Sequence, residues 1–121
     1  MKLKIMMNGR GYTAELNDNV TAQDIAGMLP LEMNLRRYAE HEYYCPLTKK
    51  PSIKDAPMTS DAHAQGIYYY DGWSAFTILF GDAHIAPFKV VHIGDIAEDV
   101  SYLASAGDMV KTSIEIQENL L

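Results

Sequence analysis

Residues 65–81 read QGIYYYDGWSAFTILFG. Ile67 to Tyr70 has the aromatic and β-branched content of a strand, and Asp71-Gly72 is a turn signal between two such runs. Ser74 to Phe80 returns as a second strand too apolar for one face to lie in water, so it belongs in the middle of a sheet. Side chains alternate along a strand, so Tyr68 and Tyr70 face one way and Tyr69 the other.

On the N-terminal side, Leu3, Ile5 and Met7 alternate with Lys2, Lys4 and Met6, the period of a half-buried strand. Asn8-Gly9 follows, and both residues tolerate positive φ, so the chain opens with a hairpin whose second strand is Tyr12 to Leu16. Thr21 and Asp24 have the spacing of a capping box and predict a helix over about 21–29, stopped by Pro30. Residues 31–47 read as strands, and 46–66, with three prolines and little periodicity, as a long loop. On the C-terminal side, Lys89 to Ile93 reads as a strand. Ile96, Val100, Leu103 and Ala104 share a helical face, predicting a second short helix over about 96–106 that ends at Gly107. Val110, Thr112, Ile114 and Ile116 alternate with polar residues as a last strand. The expected class is mainly β: about eight mostly antiparallel strands closed into a barrel, with two short helices, in a single domain over 1–121.

The chain carries 10 Lys and Arg against 16 Asp and Glu, a formal charge of −6. The excess sits late: residues 81–121 hold seven acids and two bases, whereas residues 1–80 are nearly balanced. Nucleic-acid binding needs a basic stripe to displace phosphate counterions, so none is expected. No stretch reaches the roughly 18 apolar residues of a membrane helix. With a single cysteine and no signal-like N-terminus, the expected location is the cytoplasm.

The chain resembles a small bacterial cyclophilin-like family of unassigned function. KLKIMMNGRGYTAELNDNVTAQDIAGMLPLEMNL is similar to that family's hairpin, helix and strand; QGIYYYDGWSAFTILFG to its aromatic hairpin; and KVVHIGDIAEDVSYLASAG to its strand, Gly turn and helix. The resemblance implies an eight-stranded closed barrel with a helix at each end. Its relation to the true cyclophilins, which are prolyl isomerases, is topological. Those enzymes use an arginine, a Gln and Phe pair, and a Trp and His before the last helix. Here Arg36 or Arg37 can stand for the arginine. Ala75-Phe76-Thr77-Ile78 does not match the Gln and Phe pair, and Val90 falls where the histidine is expected.

Ten of the twelve aromatics lie in two windows, 38–44 and 68–88. They read either as a barrel core with outer tyrosines or as a concave aromatic surface for a flat ligand or a peptide. Trp73, in a turn, favours exposure. Arg36-Arg37 lies on a strand, so one points inward. An inward arginine can polarise a carbonyl or fork a carboxylate, or simply pair with Glu32, Glu40 or Glu42. The candidate ligand-binding residues are Arg37, Tyr44, Tyr70, Trp73, Phe76 and Phe80.

The tripeptide Asp-Ala-His occurs twice, at 61–63 and 82–84, offering two carboxylates and two imidazoles. The spacing matches no metal motif, and neither a metal nor another cofactor is expected. Cys45 has no activating partner beyond His41, which alternation puts on its face, and reads as a buried thiol rather than a nucleophile. The function expected is a non-catalytic module that holds a small molecule or an extended, proline-containing peptide in an aromatic groove. The alternatives are a prolyl isomerase with a degenerate site, using Arg36 or Arg37, and a structural protein that forms homo-oligomers through an apolar edge.

Overall fold

The computed structural model describes residues 1–117. In chain order the elements are β1 (Lys2–Met7), β2 (Arg10–Leu16), α1 (Val20–Ala26), β3 (Leu31–Tyr38), β4 (Glu42–Pro46), β5 (Met58–Thr59), β6 (Asp61–Ala62) and β7 (Gly66–Tyr70). A 3-10 turn (Asp71–Trp73) leads to β8 (Ala75–Leu79), β9 (Ala83–His84) and β10 (Val90–Ile96). A second 3-10 turn (Ser101–Ser105) precedes β11 (Met109–Ile116).

Eight strands close into a barrel in the order β2-β1-β11-β3-β4-β8-β7-β10, and β10 pairs back onto β2. Every neighbouring pair is antiparallel. One edge of β10 is shared: β5 takes Val90 and Val91, and β2 takes Gly94 to Ile96. Closure removes the open edges that a sheet of short strands would expose.

Alternation decides what fills the barrel. Leu3, Ile5 and Met7 point in from β1, Ile67 and Tyr69 from β7, and Phe76 and Ile78 from β8, all buried in one core. The opening hairpin turns as its sequence demands, with Asn8 at φ 51° and Gly9 at φ 82°.

The helices differ from expectation. Asn19, not Thr21, caps α1: its Oδ1 accepts from Ala22 N at 2.8 Å. Thr21 is buried and donates to Ser52 O at 2.7 Å, while Asp24 accepts from Ser52 N at 2.7 Å. Both side chains tie the long loop to the helix, so they cannot form a capping box. The α-helix ends at Ala26, and the bonds from Met28 N to Ile25 O and Leu29 N to Ala26 O tighten its exit.

The second helix is only a 3-10 turn. Ile96 and Ala97 stay with the barrel, donating to Gln65 O and Thr13 O at 2.8 Å each. Asp99 then takes both the N–H and the hydroxyl of Ser101, an arrangement that competes with helix propagation. Gly107, at φ 89°, does supply the left-handed exit its position suggests.

Candidate functional site

The outer faces of β7 and β8 form the floor of a groove. On β8, Ala75, Thr77 and Leu79 face it while Phe76 and Ile78 face the core. Cross-strand pairing sets the rows: Thr77 lies between Tyr44 and Tyr68, and Ala75 is opposite Tyr70. Small residues on β8 between large ones on its neighbours leave a hollow of about 400 Å³. Ala83, Ile85 and Phe88 line its far side, on the segment that pairs with β6 through β9.

Aromatic rings build the near wall. Trp73 meets Tyr38 edge-on at 5.4 Å, Tyr44 at 5.6 Å and Tyr70 at 5.6 Å, and Tyr70 meets Phe88 at 6.1 Å. Trp73 is 47% exposed and Phe88 58%. Edge-to-face contacts of this kind fix ring orientation beyond what area burial does. Gly72 leaves room for the Tyr70 ring, since a Cβ there would come within 2.7 Å of the Tyr70 hydroxyl and displace it.

Among the described residues, one acid lines this groove. Glu42 accepts a hydrogen bond across 2.9 Å from His41 Nε2, and both side chains are largely buried. Burial pushes the Glu42 carboxyl above the ordinary carboxylate range, and His41 only partly opposes this. His41 precedes β4, and its carbonyl accepts from Phe80 N at 2.9 Å and Gly81 N at 3.2 Å, which holds the turn in place.

The sequence-predicted residues are divided by this geometry. Tyr70 and Trp73 line the groove, and Tyr44 buttresses Trp73. Phe76 is in the barrel core. Arg37 is the inward arginine, but it serves the end of the barrel. Its Nη1 donates to Ala104 O at 2.8 Å and Leu103 O at 3.4 Å, and its Nη2 pairs with Glu40 at 3.1 Å. Phe80 packs under that guanidinium, 4.9 Å from it, and against Tyr43. Arg36 is exposed on the outer face opposite Tyr44. Tyr38, Phe88, His41 and Glu42 complete the groove, though the sequence did not mark them as ligand-binding residues. The aromatic windows contain the first two, whereas nothing local marks the burial of Glu42.

Cys45 is half-buried, packed against the core, and burial pushes its thiol up. His41 lies outside its strand and is engaged with Glu42. The two Asp-Ala-His tripeptides pair with each other as β6 and β9, Asp61 opposite His84, with His84 Nδ1 2.5 Å from Asp61 Oδ1. Asp82 accepts from Ala64 N at 2.9 Å. The four side chains share a shallow hollow, but among the described residues the donor atoms that come within 4.8 Å of one another are those of His63, His92 and Asp95 instead.

The sequence pattern of the Cyclophilin-like family matches residues 5–115. The chain belongs to the Cyclophilin-like family. Among solved structures, this cyclophilin-like barrel is similar to the hypothetical protein AF2241 from Archaeoglobus fulgidus. The TM-score is 0.65 at 20% identity, covering 97% of this chain and 95% of the other. It is also similar to McbB in complex with tryptophan, at TM-score 0.58 and 13% identity. That match covers 98% of this chain and 46% of McbB, so the cyclophilin-like chain spans about half of that protein. At these identities the likeness is one of fold. No curated protein matches.

Proposed function

We propose that this cyclophilin-like protein is a binding module. Its ligand is a small molecule with a flat apolar ring and a nitrogen that donates hydrogen bonds or carries positive charge. The observation that carries this reading is Glu42, a carboxylate held above its ordinary range by burial and facing a groove whose lining, His41 and Thr77 apart, is aromatic and apolar. A flat ring fits between Trp73, Tyr70 and Phe88. A cationic nitrogen near Glu42 would replace water that burial has already removed, and its charge would favour the ionised carboxylate. McbB, a neighbour in fold, has been seen with tryptophan, itself a flat ring bearing an ammonium group.

Three features favour binding over chemistry. Cys45 is on the other face of its strand, Arg37 is occupied with backbone carbonyls, and His41 faces Glu42. Amide NMR titrations with tryptamine and with an Ala-Pro peptide test the reading. It expects tryptamine to shift residues 38–44, 68–79 and 83–90, and no acceleration of cis–trans exchange in the peptide. Faster exchange would make the protein a prolyl isomerase. Silence in the groove with both compounds would refute a small-molecule or peptide site there.

A further inference from the structure

A second cluster lies beside the groove, behind Tyr68, and it is independent of the ligand reading. His92 Nε2 is 2.9 Å from Asp95 Oδ1, and His63 Nε2 is 3.4 Å from the same oxygen. The three donor atoms all lie within 4.8 Å of one another. His92 and Asp95 are three residues apart on β10, which would ordinarily place them on opposite faces. The register shifts between His92 and Gly94, leaving Ile93 as an extra residue. That bulge turns both side chains to the same face. Gly94 permits it, since a Cβ there would come within 2.4 Å of Glu15 O. His63 is brought in by the turn before Gly66, where a Cβ would meet Tyr68 at 2.4 Å and His63 O at 2.9 Å.

The heavy-atom partners of the two imidazoles make this more than a surface contact. His63 Nδ1 lies 3.0 Å from Ala64 O, which can only accept, so Nδ1 carries the hydrogen. In the tautomer that donates Nδ1–H to Ala64 O, Nε2 presents its lone pair to the Asp95 carboxylate. Two acceptors face each other unless a proton or a cation stands between them. A zinc-like ion with bonds of about 2.0–2.1 Å holds tetrahedral neighbours roughly 3.3–3.4 Å apart. The 3.4 Å between His63 and Asp95 fits that spacing, and the 2.9 Å between His92 and Asp95 would open slightly on binding. The Ala64 carbonyl supplies the outer hydrogen bond that typically orients a metal-ligating imidazole. Tyr68 stacks on His92 at 4.8 Å and steadies the second ring.

We propose that His63, His92 and Asp95 bind one divalent transition-metal ion of the zinc class. Two imidazoles and one carboxylate leave coordination positions open to solvent or to an added ligand. The donor set takes only His63 from the Asp-Ala-His repeats.

The test is equilibrium dialysis of the intact protein against micromolar zinc chloride, with cobalt(II) absorption as a second readout. The proposal expects one zinc per chain and a cobalt spectrum of low-symmetry coordination. It expects affinity to fall by at least about 100-fold in His92→Ala and Asp95→Asn, beyond what loss of an outer-shell partner costs. His63→Ala, at a 53% exposed side chain, gives the same loss with little risk to folding. His84→Ala leaves binding unchanged. Binding only at millimolar zinc, or binding that survives His63→Ala but not His84→Ala, would overturn the proposal.

Discussion

Glu42 and His41, adjacent in sequence, meet across 2.9 Å at the mouth of β4, and the carboxylate of the pair lines a groove that holds no other acid among the described residues. Adjacent residues on a strand would point to opposite faces. They meet because His41 belongs to the turn and Glu42 to the strand. The pair is the polar anchor of an otherwise apolar surface.

That placement has a cost to folding. Burial raises the Glu42 carboxyl, so the folded state takes up a proton more readily than the unfolded chain. Stability linked to this group is fully present below its unfolded value and is lost as pH rises through its folded one. Glu42→Gln should therefore raise the melting temperature at pH 7, with the gain fading as pH falls. Melting curves at several pH values check this. A gain that is constant with pH would contradict burial as the cause.

Glu98 runs the other way. Its carboxylate accepts from Thr13 N at 2.7 Å and Thr13 Oγ1 at 2.8 Å, which lowers it from an ordinary value of 4.5. Its stabilising contribution is present above that value and is lost as pH falls through the lowered one. The group is solvent-exposed, so the effect is modest. Glu98→Gln should destabilise at pH 7 and approach the parent protein in acid, as read by the same melting series.

Arg37→Ala should lower stability in denaturant unfolding, because charged hydrogen bonds to Leu103 O and Ala104 O disappear. Tryptamine affinity should be unchanged. A catalytic or ligand-holding arginine would give the opposite pattern, with lost activity and intact stability.

Two aromatic truncations separate core from groove. Phe76→Ala should cost about 3–5 kcal/mol, the ordinary penalty for a buried phenylalanine. Trp73→Ala should cost less than about 1.5 kcal/mol, since its edge-on ring pairs are only partly buried. It should nonetheless weaken ligand binding about tenfold or more, as a central aromatic contact does. Denaturation and calorimetry on the same samples measure both.

Much of this was legible in the sequence. The alternation of Tyr68, Tyr69 and Tyr70 gave their faces, and Asn8-Gly9 gave the first turn. Grouping Tyr70 with Phe76 and Phe80 went astray on parity. The connection between β7 and β8 has an even number of residues, which pairs Tyr70 with Ala75 and Tyr69 with Phe76. A two-residue turn would have given the same faces, so that separation was available from the strand period alone. The second helix was not legible, because its failure depends on Ile96 and Ala97 bonding to residues 31 and 84 positions earlier, Gln65 and Thr13. Nor was the burial of Glu42, which sits on β4 between Tyr38 of β3 and Leu79 of β8. The bulge at Ile93, which brings His92 and Asp95 together, has only Gly94 as a local sign.

The most direct measurement compares tryptamine with indole-3-acetate by calorimetry, in the parent protein and in Glu42→Gln. The two ligands share a ring and differ in the sign of the side-chain charge. The account predicts that the parent binds the amine at least about tenfold more tightly than the acid, a difference of about 1.4 kcal/mol. It predicts that Glu42→Gln removes most of that preference. Equal affinity for the two in the parent protein, or a preference that persists without the carboxylate, would contradict it.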